Sequence, residues 1–414
     1  MEITRTFGAM VPGNISTCTS WDLSSVAELP RSRRILSANV GLVCRENRNP
    51  LPKQTFPRKK SMEFGLSSEQ ILLQDSVNRF LTEQVPLDVV RKIVAHESGD
   101  ADCWSGLTDL GIPGLIISEA NGGLGLSNLD AAVVSELLGY HVTPSPFISS
   151  SVIAPATIQA AGRGEDLLGS VATGETRIGI AFAEGIAFRN NAGLSVDSGK
   201  LSGKSLFALD SDANYYLVST SAQEIYLVKA GARGLSRSSL TTVDRTRSTC
   251  ELTYDKVKAD LISDDPEVFR IALDAGLVSL SADTLGASQC ALDQAVIYAG
   301  QRKQFNRVIA SFQAVKHMCA EMVASLEPCR SMVWYAAHAL EEIPDESTMM
   351  ASHTKAHISE VGQFVTRTAT EVHGGMGFTD LVGLHYWFKR AGFNRQLLGS
   401  PELLRERAAS IQGL

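Results

Sequence analysis

The segment "YAGQRKQFNRVIASFQAVKH" runs from Tyr298 to His317 and gathers Arg302, Phe305, Ile309, Phe312 and Gln313 into a short stretch. A guanidinium beside aromatic rings and a carboxamide suits a ligand that joins a phosphate to a flat ring system. Arg offers two parallel N–H donors to phosphate oxygens, and an aromatic face accepts a stacked ring. The same residues also suit the solvated end of an amphipathic helix, and their spacing alone leaves both open. A second segment, "EVHGGMGF" at 371–378, places Gly374, Gly375 and Gly377 at the end of a helical run. Glycines there either cap the helix or let the backbone approach a phosphate, because a residue without Cβ adopts positive φ freely. No strand precedes them and the pattern is not G-x-G-x-x-G, so a Rossmann reading fails on context.

Other reactive residue types carry less. His353 and His357 are four apart, a chelating spacing, but no third ligand is spaced to help, so no metal site is expected. Ser149, Ser150 and Ser151 show no nucleophile elbow. Trp104, Trp334 and Trp387 read as core, and His317 and His373 as local hydrogen-bonding groups. The seven cysteines form no C-x-x-C pair, which points to free thiols in a reducing compartment.

Elements must position these residues, and their pattern changes three times along the chain. Residues 1–61 hold ten Lys or Arg against four acids and lack periodicity. They read as a disordered extension or a transit peptide, with Met62 as a plausible start. From 62 to 176 the pattern is helical. Ser67 caps "SSEQILLQDSVNRFLTEQV", where Ile71, Leu72, Val77, Phe80 and Leu81 keep helical spacing. From 177 to 263 short β-type runs alternate with turns at Asn190-Asn191, Asp197-Ser198-Gly199 and Asp210-Ser211-Asp212, which predicts an antiparallel sheet or barrel. From 264 the chain is helical again. Asp265 before Pro266 marks a start, and Leu273, Leu277, Leu280, Leu285, Leu292 and Val296 keep broadly to one face as far as Arg302. Such a helix is about 55 Å long and belongs in a bundle or an oligomer core. Two more long helices follow, about 311–342 and 347–372. The predicted fold is therefore mainly α with a central β domain: an N-terminal helical domain, a middle antiparallel barrel or sandwich, and a C-terminal four-helix bundle. A net charge of −7 argues against nucleic acid as a partner, and no apolar run is long enough to span a membrane. A cytoplasmic location is expected, or a mitochondrial one if 1–61 is a transit peptide.

Taken together and in order, "MEFGLSSEQILLQDSVNRFL", "NGGLGLSNLDAAVVSELLG", "YAGQRKQFNRVIASFQAVKH" and "EVHGGMGFT" resemble the acyl-CoA dehydrogenase flavoproteins over nearly all of Met62–Leu414. The ending "LLGSPELLRERAA" is similar to bacterial members of steroid and other CoA-ester catabolism. The resemblance implies an FAD-dependent α,β-dehydrogenation of an acyl-CoA. It also implies a homo- or hetero-oligomer built as a dimer of dimers, and an acceptor such as electron-transferring flavoprotein. It places Arg302 on the FAD pyrophosphate across a subunit interface. Phe305, Ile309, Phe312 and Gln313 go to the adenosine end, and the Gly374, Gly375 and Gly377 backbone, with Glu371, approaches the pyrophosphate from the other chain.

The family's reaction needs a carboxylate to remove the α-proton, and the resemblance offers two positions for it. One falls on Leu398 and the other, on the long helix, on Gly276. Neither can accept a proton. Asp274 lies about 200° round the helix from the second position. Glu402, Asp380 and Glu371 are the remaining carboxylates to weigh, with Glu402 the first of them. Further departures are Glu371 where the family commonly has Gln, Asn306 where it has Gly, and the reduced flavin segment "FAEGIAFRNNAG" with Glu184 and Gly185. Some bacterial relatives are heteromers in which one chain carries the base and the other is degenerate, and this sequence fits the degenerate chain. The alternatives are an unconventional base, a non-catalytic acyl-CoA-binding or structural member, and an oxidase on the same scaffold.

Overall fold

The computed structural model describes residues 65–414 except Ser98 and Phe188, so the expectations for 1–61 and for Met62 lie outside the described residues. Helix α1 (Ser68–Gln84) starts in a capping box, in which the Ser67 hydroxyl takes the Gln70 N–H and the Gln70 side chain takes that of Ser67. Val77 and Leu81 face the core, whereas Ile71 and Leu72, expected on the same stripe, are turned to solvent. Helices α2 (Leu87–Val94), α3 (Ala101–Asp109) and α4 (Asn128–Tyr140) follow. A buried π-helical stretch, Phe147–Ile153, then leads into α5 (Ala154–Ala161) and α6 (Leu168–Ala172).

The central sheet has eight strands, with the short helix α7 (Ala183–Ile186) after the first. They are β1 (Ile178–Ala181), β2 (Gly193–Asp197), β3 (Lys200–Leu209), β4 (Tyr215–Ser219), β5 (Ile225–Lys229), β6 (Leu235–Ser239), β7 (Thr249–Lys258) and β8 (Asp260–Ser263). Their order is β6-β7-β3-β1-β4-β5-β8, with β2 paired to β3. Two features depart from the antiparallel barrel. β1 and β4 run parallel, Ile178 opposite Tyr215 and Ala181 opposite Val218, and β6 and β8 are edges that do not pair, so the sheet stays open. Sequence spacing reports strand length but not which strand lies beside which. Between β2 and β3, Ser198 and Gly199 both have positive φ, the two-residue turn that matches strand twist.

Helix α8 (Pro266–Gln301) is the axis of the molecule. The Asp265 carboxylate caps it by accepting the Glu267 N–H at 2.9 Å, and Pro266 occupies the first turn, where no N–H is missed. Its side chains from Val268 to Leu292 are buried on nearly every side, while Val296, expected on the apolar face, is 48% exposed. A helix surrounded in this way needs small residues where neighbours cross. A Cβ on Gly286 would lie 1.7 Å from the Glu136 carbonyl oxygen of α4, and one on Gly139 would lie 1.9 Å from that of Asp283. After a hairpin of β9 (Lys303–Gln304) and β10 (Arg307–Val308) come α9 (Gln313–Glu342), α10 (Pro344–His373), α11 (His385–Gln396) and α12 (Pro401–Ile411). α8 and α10 run in the same direction: Thr348 bonds Asp274 near their starts, and His373 stacks on Tyr298 at their ends.

A buried ionic cluster ties the sheet to the helices. Asp283 of α8 accepts from Arg390 (Nε 3.0 Å, Nη2 2.7 Å) and from Asn394 (2.6 Å), both on α11. Arg247, from the loop between β6 and β7, approaches the same carboxylate at 2.9 Å. Arg390 also donates to the Thr143 carbonyl and the Thr246 hydroxyl.

Candidate active site

At the end of α8 the Arg302 N–H caps the helix onto the Tyr298 carbonyl at 2.8 Å, and the chain turns into the β9–β10 hairpin. Its tip, Phe305 and Asn306, has φ of +52° and +60°. Asn tolerates that conformation better than most residues, which accounts for Asn306 where the family has Gly. Phe305 is 86% exposed, and its ring meets Phe312 edge-on at 6.1 Å. The Arg307 guanidinium lies over the Phe312 ring at 4.0 Å. Ile309 is half-buried, and its N–H bonds the Arg302 carbonyl. α9 then begins at Gln313, with no side chain capping it. Its first N–H groups and the positive end of its dipole are available to an anion. Arg302, Lys303, Arg307 and Lys316 are all exposed around this point, and among the described residues Arg302 has no ion-pair partner.

The glycine segment comes to the same place. The His373 ring stacks on Tyr298 with centroids 4.4 Å apart, so the ends of α8 and α10 lie side by side. His373 Nδ1 sits 2.8 Å from the Ala369 carbonyl, and burial holds its pKa below the usual value, favouring the neutral ring. Gly374 has φ +58° and ψ −139°, and a Cβ on Gly374 or Gly375 would meet nothing within 4 Å. Their backbone is open to a ligand. Gly377 differs, since a Cβ there would sit 2.7 Å from the Thr370 carbonyl, which makes it a packing glycine. Glu371 is exposed and pairs loosely with Arg367 at 3.9 Å. An unpaired guanidinium, an uncapped helix start and open glycine backbone form a donor set that fits a pyrophosphate.

The reduced flavin segment follows β1 and folds as α7 and the loop after it. The Glu184 carboxylate is buried, with Oε1 accepting the Leu206 N–H at 3.0 Å and Oε2 unpartnered. Burial pushes its pKa up, against the opposing effect of that N–H. Ser205 Oγ, Ser219 Oγ and Tyr254 Oη are likewise buried without partners. Orphaned polar atoms of this kind are completed by a ligand or by water.

The two positions expected for a base, Gly276 and Leu398, converge. A Cβ on Gly276 would lie 2.7 Å from Leu398 Cδ1 and 2.9 Å from Ile153 Cδ1. Positions far apart in sequence therefore address one point, and that point is filled by two apolar side chains. Leu398 reaches it with a backbone φ of +58° and is 7% exposed. The other carboxylates are engaged elsewhere. Asp274 is fully buried and held by Arg270 (2.9 Å), Arg407 (2.7 Å) and Thr348 (2.6 Å). Glu402 is exposed in the first turn of α12 and paired with Arg395 at 2.9 Å. Backbone N–H at the helix start, then the Ser400 hydroxyl, lower its pKa, which weakens it as a base. Asp380 is exposed, 3.6 Å from His385.

Sequence reasoning missed Ile153 and the Asp283 cluster. Acids within the apolar run of α8, Asp274 and Asp283, are a signal for the second, because a buried charge requires a partner. A cavity of about 550 Å3 lies elsewhere, lined by Pro146, Ile148, Arg177, Asp210, Arg245 and Arg247 among others. His353 and His357 gather no third ligand, and no metal-binding group of His, Cys, Asp or Glu occurs among the described residues. Among them, too, the five cysteines form no disulfide and no helix is long and apolar enough to cross a membrane.

Residues 67–174 match the acyl-CoA dehydrogenase N-terminal domain and residues 267–411 the acyl-CoA dehydrogenase C-terminal domain. Acyl-CoA dehydrogenase IpdE2 of Mycobacterium tuberculosis (strain ATCC 25618 / H37Rv) is 27% identical over 347 residues, covering 83% of this chain and 97% of that protein. The mitochondrial short/branched chain specific acyl-CoA dehydrogenase of Bos taurus is 25% identical over 421 residues, 93% of this chain and 92% of its own. Among solved structures, a single-residue variant of the Tcur3481-Tcur3483 steroid ACAD aligns with a TM-score of 0.76 at 28% identity, covering 83% of this chain and 98% of that one. This chain belongs to the acyl-CoA dehydrogenase family, FAD-dependent oxidoreductases that act on acyl-CoA.

Proposed function

We propose that this chain is the base-lacking subunit of a heteromeric, FAD-dependent acyl-CoA dehydrogenase. The observation that carries the reading is the packing of Leu398 and Ile153 over Gly276. Where proton abstraction is expected there is no proton acceptor, and a carboxylate placed on Gly276 would collide with the Leu398 side chain. A solved relative at 28% identity, the Tcur3481-Tcur3483 steroid ACAD, carries two component names, which agrees with a two-chain assembly. In this reading the domains divide at 62–176, 177–263 and 264–414. The partners are an acyl-CoA, a second chain bearing the Glu, and an acceptor such as electron-transferring flavoprotein.

This chain's share of the work is binding. Arg302 and the first N–H groups of α9 neutralise the pyrophosphate, and the open backbone of Gly374 and Gly375 lets it come close. Phe305, Ile309, Phe312 and Gln313 offer ring faces and an amide to the adenosine end. Bound flavin supplies the hydride acceptor for the β-hydrogen. Leu398 keeps the chain's own reaction point apolar and free of water. The test is acyl-CoA-dependent bleaching of the flavin, measured with the chain alone and with a co-expressed, Glu-bearing family member. Bleaching only in the complex is the expected result. Turnover by the lone chain that one carboxylate substitution, Glu402→Gln first, abolishes would overturn the proposal.

A further inference from the structure

The glycine turn is linked through the loop after it to a helix far away in sequence. Arg91 of α2 donates from Nη2 to the carbonyl oxygens of Asp380 and of Leu381, the latter at 3.1 Å. Its Nη1 donates to Asp88 Oδ1 at 2.7 Å, one turn back on the same helix, which orients the guanidinium. The Nε is buried and has no partner of its own. Asp380 and Leu381 belong to the stretch that joins the turn at Gly374–Phe378 to α11. Inside that stretch the Thr379 N–H bonds the Met376 carbonyl at 3.0 Å and the Gly383 N–H bonds the Thr379 carbonyl at 3.3 Å. Gly383, at φ +75°, is where α2 presses closest: a Cβ there would sit 2.8 Å from Leu87 Cδ2 and 3.2 Å from Arg91 Nη2. Two backbone carbonyls of a stretch that forms no strand or α-helix converge on one guanidinium, which fixes their direction. Phe378 and Leu381 on the same stretch are 80% and 78% exposed, so apolar burial anchors it at its far end, where Val382 and Leu384 meet the core.

We propose that Arg91 is a positioning residue that clamps the 379–384 loop, and through it sets the approach of the Gly374–Gly375 backbone to the cofactor. The clamp rests on geometry alone, and its link to FAD rests on the function proposed above. It joins the N-terminal helices to a cofactor turn in the C-terminal bundle without touching the cofactor itself. Arg91→Met keeps an unbranched aliphatic side chain on α2 and removes every donor. Arg91→Lys keeps one charge but not the fork, and Asp88→Asn weakens only the orientation of the guanidinium.

The test uses the full chain, alone and in its two-chain complex, with two measurements. Hydrogen exchange followed by mass spectrometry reads the peptides covering 374–386. In Arg91→Met the exchange of these peptides is expected to rise about tenfold or more, with peptides from α8 unchanged. Arg91→Lys is expected to fall between the variant and the wild type. Equilibrium titration with FAD is expected to show a Kd about tenfold weaker in Arg91→Met. Unchanged loop exchange would refute the clamp. Faster loop exchange with a Kd within about twofold of wild type would refute its link to the cofactor. Wild type that holds no FAD in either form would refute the function proposed above and the cofactor link with it, while the exchange measurement still decides the clamp.

Discussion

Replacing Asp283 with Asn is expected to destabilise the protein severely, because it removes one anion from a cluster of two anions and two cations. Asp283 is 1% exposed and takes short bonds from Arg390 and Asn394, with Arg247 at 2.9 Å. The Asn side chain fills the same volume, so no cavity complicates the measurement. Its amide NH2 faces donors, and both guanidiniums are left with Asp244 alone, whose Oδ2 is 3.9 Å from Arg247 Nε. Breaking a buried pair from one side costs about 3–5 kcal/mol. Over the residues Gly65–Leu414, at about 2.1 cal/mol/K of unfolding entropy per residue, that is a fall in Tm of about 4–7 °C.

The same carboxylate predicts a pH window. Burial alone would raise its pKa, but Arg247 and Arg390 outweigh burial and hold it at about 2, below its ordinary 3.8. A pKa depressed by folding stabilises above the ordinary value and stops doing so as pH falls through the folded one. The stability gap between wild type and Asp283→Asn should therefore be full at neutral pH and close between about pH 4 and pH 2. Urea unfolding at stepped pH measures it. A variant within about 1 kcal/mol of wild type at pH 7, or a gap that does not close in acid, would refute the reasoning. Removing the opposite charge as well, in Asp283→Asn with Arg390→Met, should recover part of the loss.

Three other outcomes follow from single distances. Gly286→Ala should destabilise by about 1–3 kcal/mol or more in urea titrations, since its methyl would meet the Glu136 carbonyl of α4 and push two helices apart. Gly276→Ala should cost less when Leu398→Ala accompanies it, because the atom it meets is the end of the Leu398 side chain; additive costs would show that the two positions do not touch. Arg302→Gln should leave the Tm of the FAD-free protein unchanged, since the side chain is exposed and unpaired. It should weaken FAD binding by about tenfold or more, read as flavin retained on desalting.

The helical periods and the caps were legible because they are local. Ser67, Asp265 and Pro266 announce helix starts whatever lies around them, since a cap satisfies the N–H groups of its own first turn. The order helix, sheet, helix was legible for the same reason. Strand neighbours were not: the parallel pairing of β1 with β4 joins segments separated by β2 and β3, and no residue in either strand encodes its partner. Val296 shows the limit of periodicity, which groups residues on a face but does not say whether the face is covered along its whole length. The expected base positions were legible as missing carboxylates, yet not as a single place.

By itself the sequence determined the family, and it named the residues expected to hold a phosphate and the missing carboxylates expected at Leu398 and Gly276. Those are statements about which groups exist, and composition at a position is enough to make them. Only the tertiary structure decided that Arg302 and Gly374 share one end of two parallel helices, that Leu398 covers Gly276, and that Asp283 sits between two buried arginines. Each of these depends on how α8 packs against elements distant in the chain. Close packing of that kind is set by the whole core together, so no local stretch of residues specifies it.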